Sequence, residues 1–232
     1  MRASRAIPAL CLVLAACGGE VEPAAVSRAA GAPLVASLAA PSAASTTELR
    51  AGRLSEARSA LEASLAADPD TQGALNDLAV TYAVQERFDA ARQLFEEALA
   101  RGGAREQQAS LVNLAELYAL DGYLPAAQAH LDSARAVDAS RPEPLYALAL
   151  LADARGDRSG AATALGAALE ADRSGAARRD LVFVYPEERL HLDALVAEAS
   201  GDAATAQARW RDLARGRFAP LAQAATRHLE GN

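Results

Sequence analysis

The stretch Leu78-Ala79-Val80-Thr81-Tyr82-Ala83-Val84-Gln85-Glu86-Arg87-Phe88-Asp89-Ala90-Ala91-Arg92-Gln93-Leu94-Phe95-Glu96-Glu97-Ala98 decides the fold. It reads as two helices joined by a short polar turn, with apolar or small residues recurring at helical spacing in each. Ala79 and Ala91 stand where the two helices cross, since a larger side chain there would push them apart. Tyr82 and Phe95 stand where a gap between neighbouring helices has to be filled.

The same unit recurs along the chain, and recurrence at a fixed period is the signature of a solenoid. Thirty-six residues later come Leu114-Ala115, Tyr118, Gly122, Ala127, Leu131 and Ala134. Another 34 residues on stand Leu148-Ala149, Ala152, Gly156-Asp157, Ala161, Leu165 and Ala168. Thirty-four before the clearest unit are Gly52, Ala57, Leu61, Ser64, Leu65 and Asp68-Pro69, where only the second helix and the closing turn are well marked. A looser fifth copy reads Ala194, Ala197, Gly201-Asp202, Ala206, Trp210 and Leu213. Gly122, Gly156 and Gly201 end the first helix of a pair, where a left-handed residue is needed. One pair cannot bury its apolar face alone, so stacking supplies the core.

On these residues the chain resembles the tetratricopeptide repeat, a 34-residue pair of antiparallel helices, over about residues 46–215. The resemblance implies an all-α, right-handed solenoid of four to five units with degenerate ends. It departs from the family at Gly102-Gly103, which lengthen one loop, and at an insertion near residues 173–185. That insertion holds Leu181-Val182-Phe183-Val184-Tyr185, the one strongly β-prone run. It is either an apolar plug packed between repeats or an exposed anchor for a partner or a second copy. Residues 216–232 are expected to form a C-terminal capping helix, Pro220 to Leu229, with Arg227 and His228 near its end.

Composition agrees. About a quarter of the residues are alanine, the best helix former, and only 4% are aromatic. A sandwich or barrel would want β-branched and aromatic residues in alternation. The net charge is −7, with 23 arginines, no lysine and no basic block, so nucleic-acid binding is not expected. Two cysteines, Cys11 and Cys17, are too few for a disulfide framework or a zinc cluster.

Met1 to Arg5 form a short positive region followed by an apolar run, Ala6 to Ala16, too short to span a bilayer and of the length of a signal-peptide core. The run ends in Leu14-Ala15-Ala16-Cys17-Gly18, which resembles a bacterial lipoprotein lipobox. That resemblance implies cleavage between Ala16 and Cys17 (residues 1–16 removed) and acyl chains, palmitate among them, on Cys17. It also implies a lipid-anchored protein of the bacterial envelope; Gly18 in place of aspartate fits the outer membrane, with the protein facing the periplasm. The alternative is an ordinary secretory signal. Residues 17–45 are rich in Ala, Pro and Ser and are expected to be a flexible tether; alternatively, Leu34, Val35 and Leu38 dock as a short helix on the first repeat.

No catalytic motif is present: no lysine-bearing phosphate loop, no HExxH, no GxSxG. His130, His191 and His228 lie in three separate units and are expected as partly exposed helix residues. No catalytic residue, metal or cofactor is expected, which leaves the inner groove. In the family the first helix of each pair lines it, which here places Asn76, Asp77 and Val80, then Asn113 and Glu116, then Glu143, Tyr146, Leu150 and Asp153, and after the insertion Glu188, His191, Leu195 and Glu198. Asn113 stands where the family often has an asparagine that fixes a ligand's backbone through its two-sided amide. The basic clamp of carboxylate-binding relatives is absent, because its positions carry Gly73, Asp77, Glu143 and Ala147. The acidic bias points to an extended partner segment with basic residues. The expected role is thus a protein-binding scaffold or adaptor holding another envelope protein. The rivals are a structural spacer and an enzyme using a coupled groove carboxylate pair.

Overall fold

The computed structural model describes residues 30–40 and 43–231. Among the described residues there are twelve helices, ten of them in five successive pairs. The first pair is α1 (Ala44–Arg50) and α2 (Leu54–Ala67), the second α3 (Ala74–Val84) and α4 (Phe88–Arg101), the third α5 (Ala104–Leu120) and α6 (Leu124–Val137). The fourth is α7 (Glu143–Ala154) and α8 (Arg158–Ala171), followed by the short α9 (Ala176–Asp180). The fifth is α10 (Pro186–Ala199) and α11 (Ala203–Leu213), and α12 (Ala219–Glu230) ends the chain. The weak marking of the first unit has a counterpart in α1, which is only seven residues long.

The crossing positions are occupied as the spacing requires. Ala57, Ala79, Ala91, Ala115, Ala127, Ala149, Ala161, Ala194 and Ala206 are all buried. Phe95, Leu131, Leu165 and Trp210 fill the spaces beside them and are buried too. Tyr82 and Tyr118 are half-buried, each covered by a guanidinium, Arg87 at 4.5 Å and Arg92 at 4.8 Å from the ring centre.

The turns inside the pairs share one device. Gly52, Gly122, Gly156 and Gly201 have φ between +75° and +85°, a left-handed conformation that reverses the chain. In the second pair the same place is taken by Glu86, at φ +57°. Asp157 and Asp202 then start the following helices, accepting from the N–H groups of Gly160 (2.8 Å) and Thr205 (3.1 Å).

One feature differs from the sequence reading. Residues 31–39, expected within a tether, are buried, and they run extended along the inner layer rather than docking as a helix. The insertion is an apolar plug and not an exposed anchor: Leu181, Val182 and Tyr185 are buried, Val182 bridges Ala36, and Asp180 reaches Arg50 of the first pair at 2.7 Å. The last helix, α12, packs on α11 and α7 through Leu221, Ala224, Ala225 and His228. Residues 1–29, with the signal sequence, the Leu14–Cys17 motif and most of the tether, lie outside the described residues.

Candidate functional site

The inner helices of the second, third and fourth pairs carry polar side chains where a core would be apolar. Asn76, Asp77, Asn113, Glu116, Glu143 and Asp153 are all at most 8% exposed, which demands partners. For four of them the partner is the chain's own residues 32–40.

This segment runs antiparallel to α5 and ends over the start of α3. The Ala32 N–H donates to the Ala119 carbonyl (2.9 Å), and the Leu34 N–H to Glu116 Oε2 (2.5 Å). At Ser37 the Asn113 amide engages both sides of the peptide: Oδ1 accepts from Ser37 N (2.7 Å) and Nδ2 donates to Ser37 O (2.9 Å). Asn76 Nδ2 donates to the same carbonyl (3.0 Å), and the two asparagines are joined by Asn113 Nδ2 donating to Asn76 Oδ1 (2.8 Å). Asp77 accepts from the Ala39 and Ala40 N–H groups (2.7 and 3.1 Å) and from Thr46 Oγ1 (3.3 Å). The outer edge of the segment is closed by the insertion, since Ala36 and Val182 exchange two 2.9 Å hydrogen bonds as an isolated antiparallel bridge. Leu34, Val35 and Leu38 join Val80 and Leu150 in the main apolar core.

Glu116 and Glu188 are both buried, and each shifts the ionisation of the other. Burial pushes Glu116 up to about 8, and burial together with the Glu116 charge raises Glu188 well above the usual carboxylate range. Glu188 accepts from the N–H groups of Val184 (2.7 Å) and Tyr185 (2.9 Å), so the same carboxyl holds the insertion at the start of α10. Burial likewise raises Asp77, against the four hydrogen bonds it accepts.

The remaining expected groove residues lie apart from the segment's polar contacts. Glu143 pairs with Arg141 (2.9 Å), and Tyr146 Oη donates to Asp172 Oδ2 (3.1 Å). Asp153 is turned to the far end, where two histidines converge on it: His191 Nε2 at 2.7 Å from Oδ2 and His228 Nε2 at 2.8 Å from Oδ1. Burial opposes the Asp153 charge, but the hydrogen bonds and charges of the two histidines outweigh it and hold the carboxyl well below the usual range. The Nδ1 of His228 lies 2.8 Å from Glu198 Oε2, and its ring stacks on Trp210 at 4.1 Å. The expectation of partly exposed, separate histidines is therefore corrected for His191 and His228, both buried; His130 is half-buried and stacked on Tyr118 at 5.0 Å.

The expectation of a basic partner segment meets the same geometry. The groove acids are engaged: Asp77 and Glu116 by main-chain N–H groups, Asp153 by histidines, Glu143 by Arg141. What fills the groove carries no charged side chain. Sequence reasoning missed the occupant itself and Glu106, whose carboxylate accepts from the N–H groups of Gly73 (3.1 Å) and Asn76 (3.3 Å) at the start of α3.

Stacked helix pairs whose inner helices grip an extended main chain define a helical-repeat protein with a peptide groove. Residues 43–106, covering the first two pairs, match the family model of the tetratricopeptide repeat. Over those residues the chain thus carries tetratricopeptide repeats, a class whose repeats point to protein–protein interaction and which typically serves as a non-enzymatic scaffold. No curated protein matches the chain significantly.

Proposed function

We propose that this protein is a non-catalytic adaptor of the bacterial cell envelope. Lipidated Cys17 anchors it, with the outer membrane facing the periplasm as the site, and its inner groove takes a segment of a partner protein. The observation that carries the reading is the pair Asn76 and Asn113, which clasp both the N–H and the C=O of Ser37: these side chains recognise an extended main chain. The anchor rests on Met1–Arg5, the short apolar run and Leu14–Cys17.

Affinity capture from detergent-solubilised envelopes tests the groove with three baits: the wild-type chain, Gly31→Val and Asn76→Ala/Asn113→Ala. A β-carbon on Gly31 would lie 2.1 Å from the Leu120 carbonyl oxygen, so Gly31→Val loosens the resident segment without altering the groove. The adaptor reading expects a partner enriched by Gly31→Val and lost with the double variant. Identical retention by all three removes the groove as the binding surface, and no retention by any replaces the adaptor with a structural spacer. Cys17→Ser should leave the membrane fraction and lose its acyl label; unchanged fractionation removes the anchor.

A further inference from the structure

The resident segment is a template for what the groove accepts. Residues 31–40 read Gly-Ala-Pro-Leu-Val-Ala-Ser-Leu-Ala-Ala: ten residues with no charge and a single hydroxyl. Residues 31–39 are buried, because α3 and α5 lie beneath them and the insertion closes over them at Val182. A lysine or arginine at any of these places would be desolvated against carboxylates already engaged by N–H groups. The groove reads main-chain positions at fixed intervals: N–H groups at 32, 34, 36, 37, 39 and 40, and the C=O of 36 and 37. Position 33 is read by no N–H, and it is the one that carries proline. Position 31 has no room for a β-carbon. One buried acceptor in the floor, Glu116 Oε1, has no hydrogen-bond donor beside it, although Oε2 takes the Leu34 N–H.

Resting on the adaptor reading above, we propose that the partner segment is an uncharged, extended run of small and branched apolar residues. It seats in the register of residues 31–40 and enters by displacing them. Specificity comes from N–H spacing and from exclusion of charge. The resident segment, joined to α1 by residues 41–43, competes at the high effective concentration of a short linker, so the groove opens only to a segment of the same chemistry.

The test uses the full-length chain and a fluorescein-labelled decapeptide of the sequence 31–40, read by anisotropy. The variant Gly31→Val/Leu38→Asp, which drives the resident segment out, should bind the decapeptide at least about tenfold more tightly than the wild type does. A decapeptide N-methylated at Ser37, which removes the N–H that Asn113 takes, should lose about tenfold or more. A decapeptide carrying Leu34→Lys and Leu38→Lys should lose at least as much. Equal or tighter binding of the lysine peptide overturns the proposal, and so does no binding by a variant whose circular dichroism matches the wild type. A concentration-dependent dimer of the wild type that Gly31→Val abolishes also overturns it, in favour of segment exchange between copies. Should the double variant unfold, millimolar decapeptide added to the wild type must speed hydrogen exchange at the chain's own Leu34, Ser37 and Ala39 amides; unchanged rates overturn the proposal. The two readings fail separately. Decapeptide binding without any captured envelope protein keeps the groove chemistry and removes the adaptor role, whereas a captured partner with no decapeptide binding does the reverse.

Discussion

Replacing Asn113 by alanine should release the segment from the groove while leaving the solenoid folded. The side chain makes three hydrogen bonds, two to Ser37 and one to Asn76 Oδ1. After truncation, Ser37 O keeps Asn76 Nδ2 at 3.0 Å, and Asn76 Oδ1 keeps Ser110 Oγ at 3.2 Å. The Ser37 N–H keeps nothing, and the residue is only 3% exposed. An orphaned buried donor costs about 1–3 kcal/mol, to which the lost amide contacts add. We therefore expect about 2–3 kcal/mol, or roughly a 30- to 160-fold shift toward the undocked segment. Native-state hydrogen exchange followed by NMR reads this directly. The Leu34, Ser37, Ala39 and Ala40 amides should lose protection by that factor, while Leu131 in α6 changes by less than about threefold. Ser37→Ala keeps the main-chain groups and should stay within about threefold of the wild type. Undiminished protection at Ser37 would refute the clasp, and an equal loss at Leu131 would refute local release.

Other expectations follow from the same geometry. Glu116 is raised to about 8, so the folded state holds a proton that the unfolded chain has already lost; stability should fall as pH rises from about 4.5 to 8, at up to about 1.4 kcal/mol per pH unit. Glu116→Gln should flatten that slope and raise the midpoint of thermal unfolding at pH 8–9 relative to the wild type, and an unchanged slope would argue against the carboxyl pair. Asp153 is depressed, so its contribution is complete above the unfolded carboxylate range and is lost as pH falls below about 4; His228→Gln should shrink that acid limb in a pH series of unfolding curves. Glu86→Gly removes a left-handed side chain and should raise stability by about 0.5–1 kcal/mol in urea unfolding, the strain relieved exceeding glycine's entropy cost. Trp210→Ala empties a fully buried position beside His191 and His228 and should cost about 3–5 kcal/mol, detected as early loss of α10–α12 amides in denaturant.

The repeat was legible because its marks are local. Ala79, Ala91, Phe95 and Gly122 each report a crossing, a filled gap or a turn within a few residues of themselves, and the period carries the pattern onward. The groove was legible in part for the same reason: Asn76-Asp77 and Asn113 with Glu116 interrupt apolar helices on the face the pairing turns inward. Its occupant was not, because a segment held through its own N–H and C=O groups leaves no side-chain signature. Gly31 to Ala40 therefore reads like the low-complexity sequence on either side of it, and only Leu34, Val35 and Leu38 hint at burial. The Asp153 cluster was hidden by distance, since His191 and His228 stand 38 and 75 residues away and meet only once α10 and α12 have packed.

The seated segment also has a mechanical meaning. Twelve residues lie between Cys17 and Ala30, a contour of at most about 45 Å, and freeing the chain as far as Ala43 would double it to about 90 Å. On the proposed acyl anchor at Cys17, the resident segment would act as a take-up reel that sets how far the solenoid stands from the bilayer. A pull arriving through Ala30 runs along the strand, so the bonds at Ala32, Leu34, Ala36, Ser37 and Ala39 share the load in shear instead of peeling one by one. Occupying the groove with a partner and lengthening the leash are then the same event: cargo would be taken at one height above the membrane and carried at another.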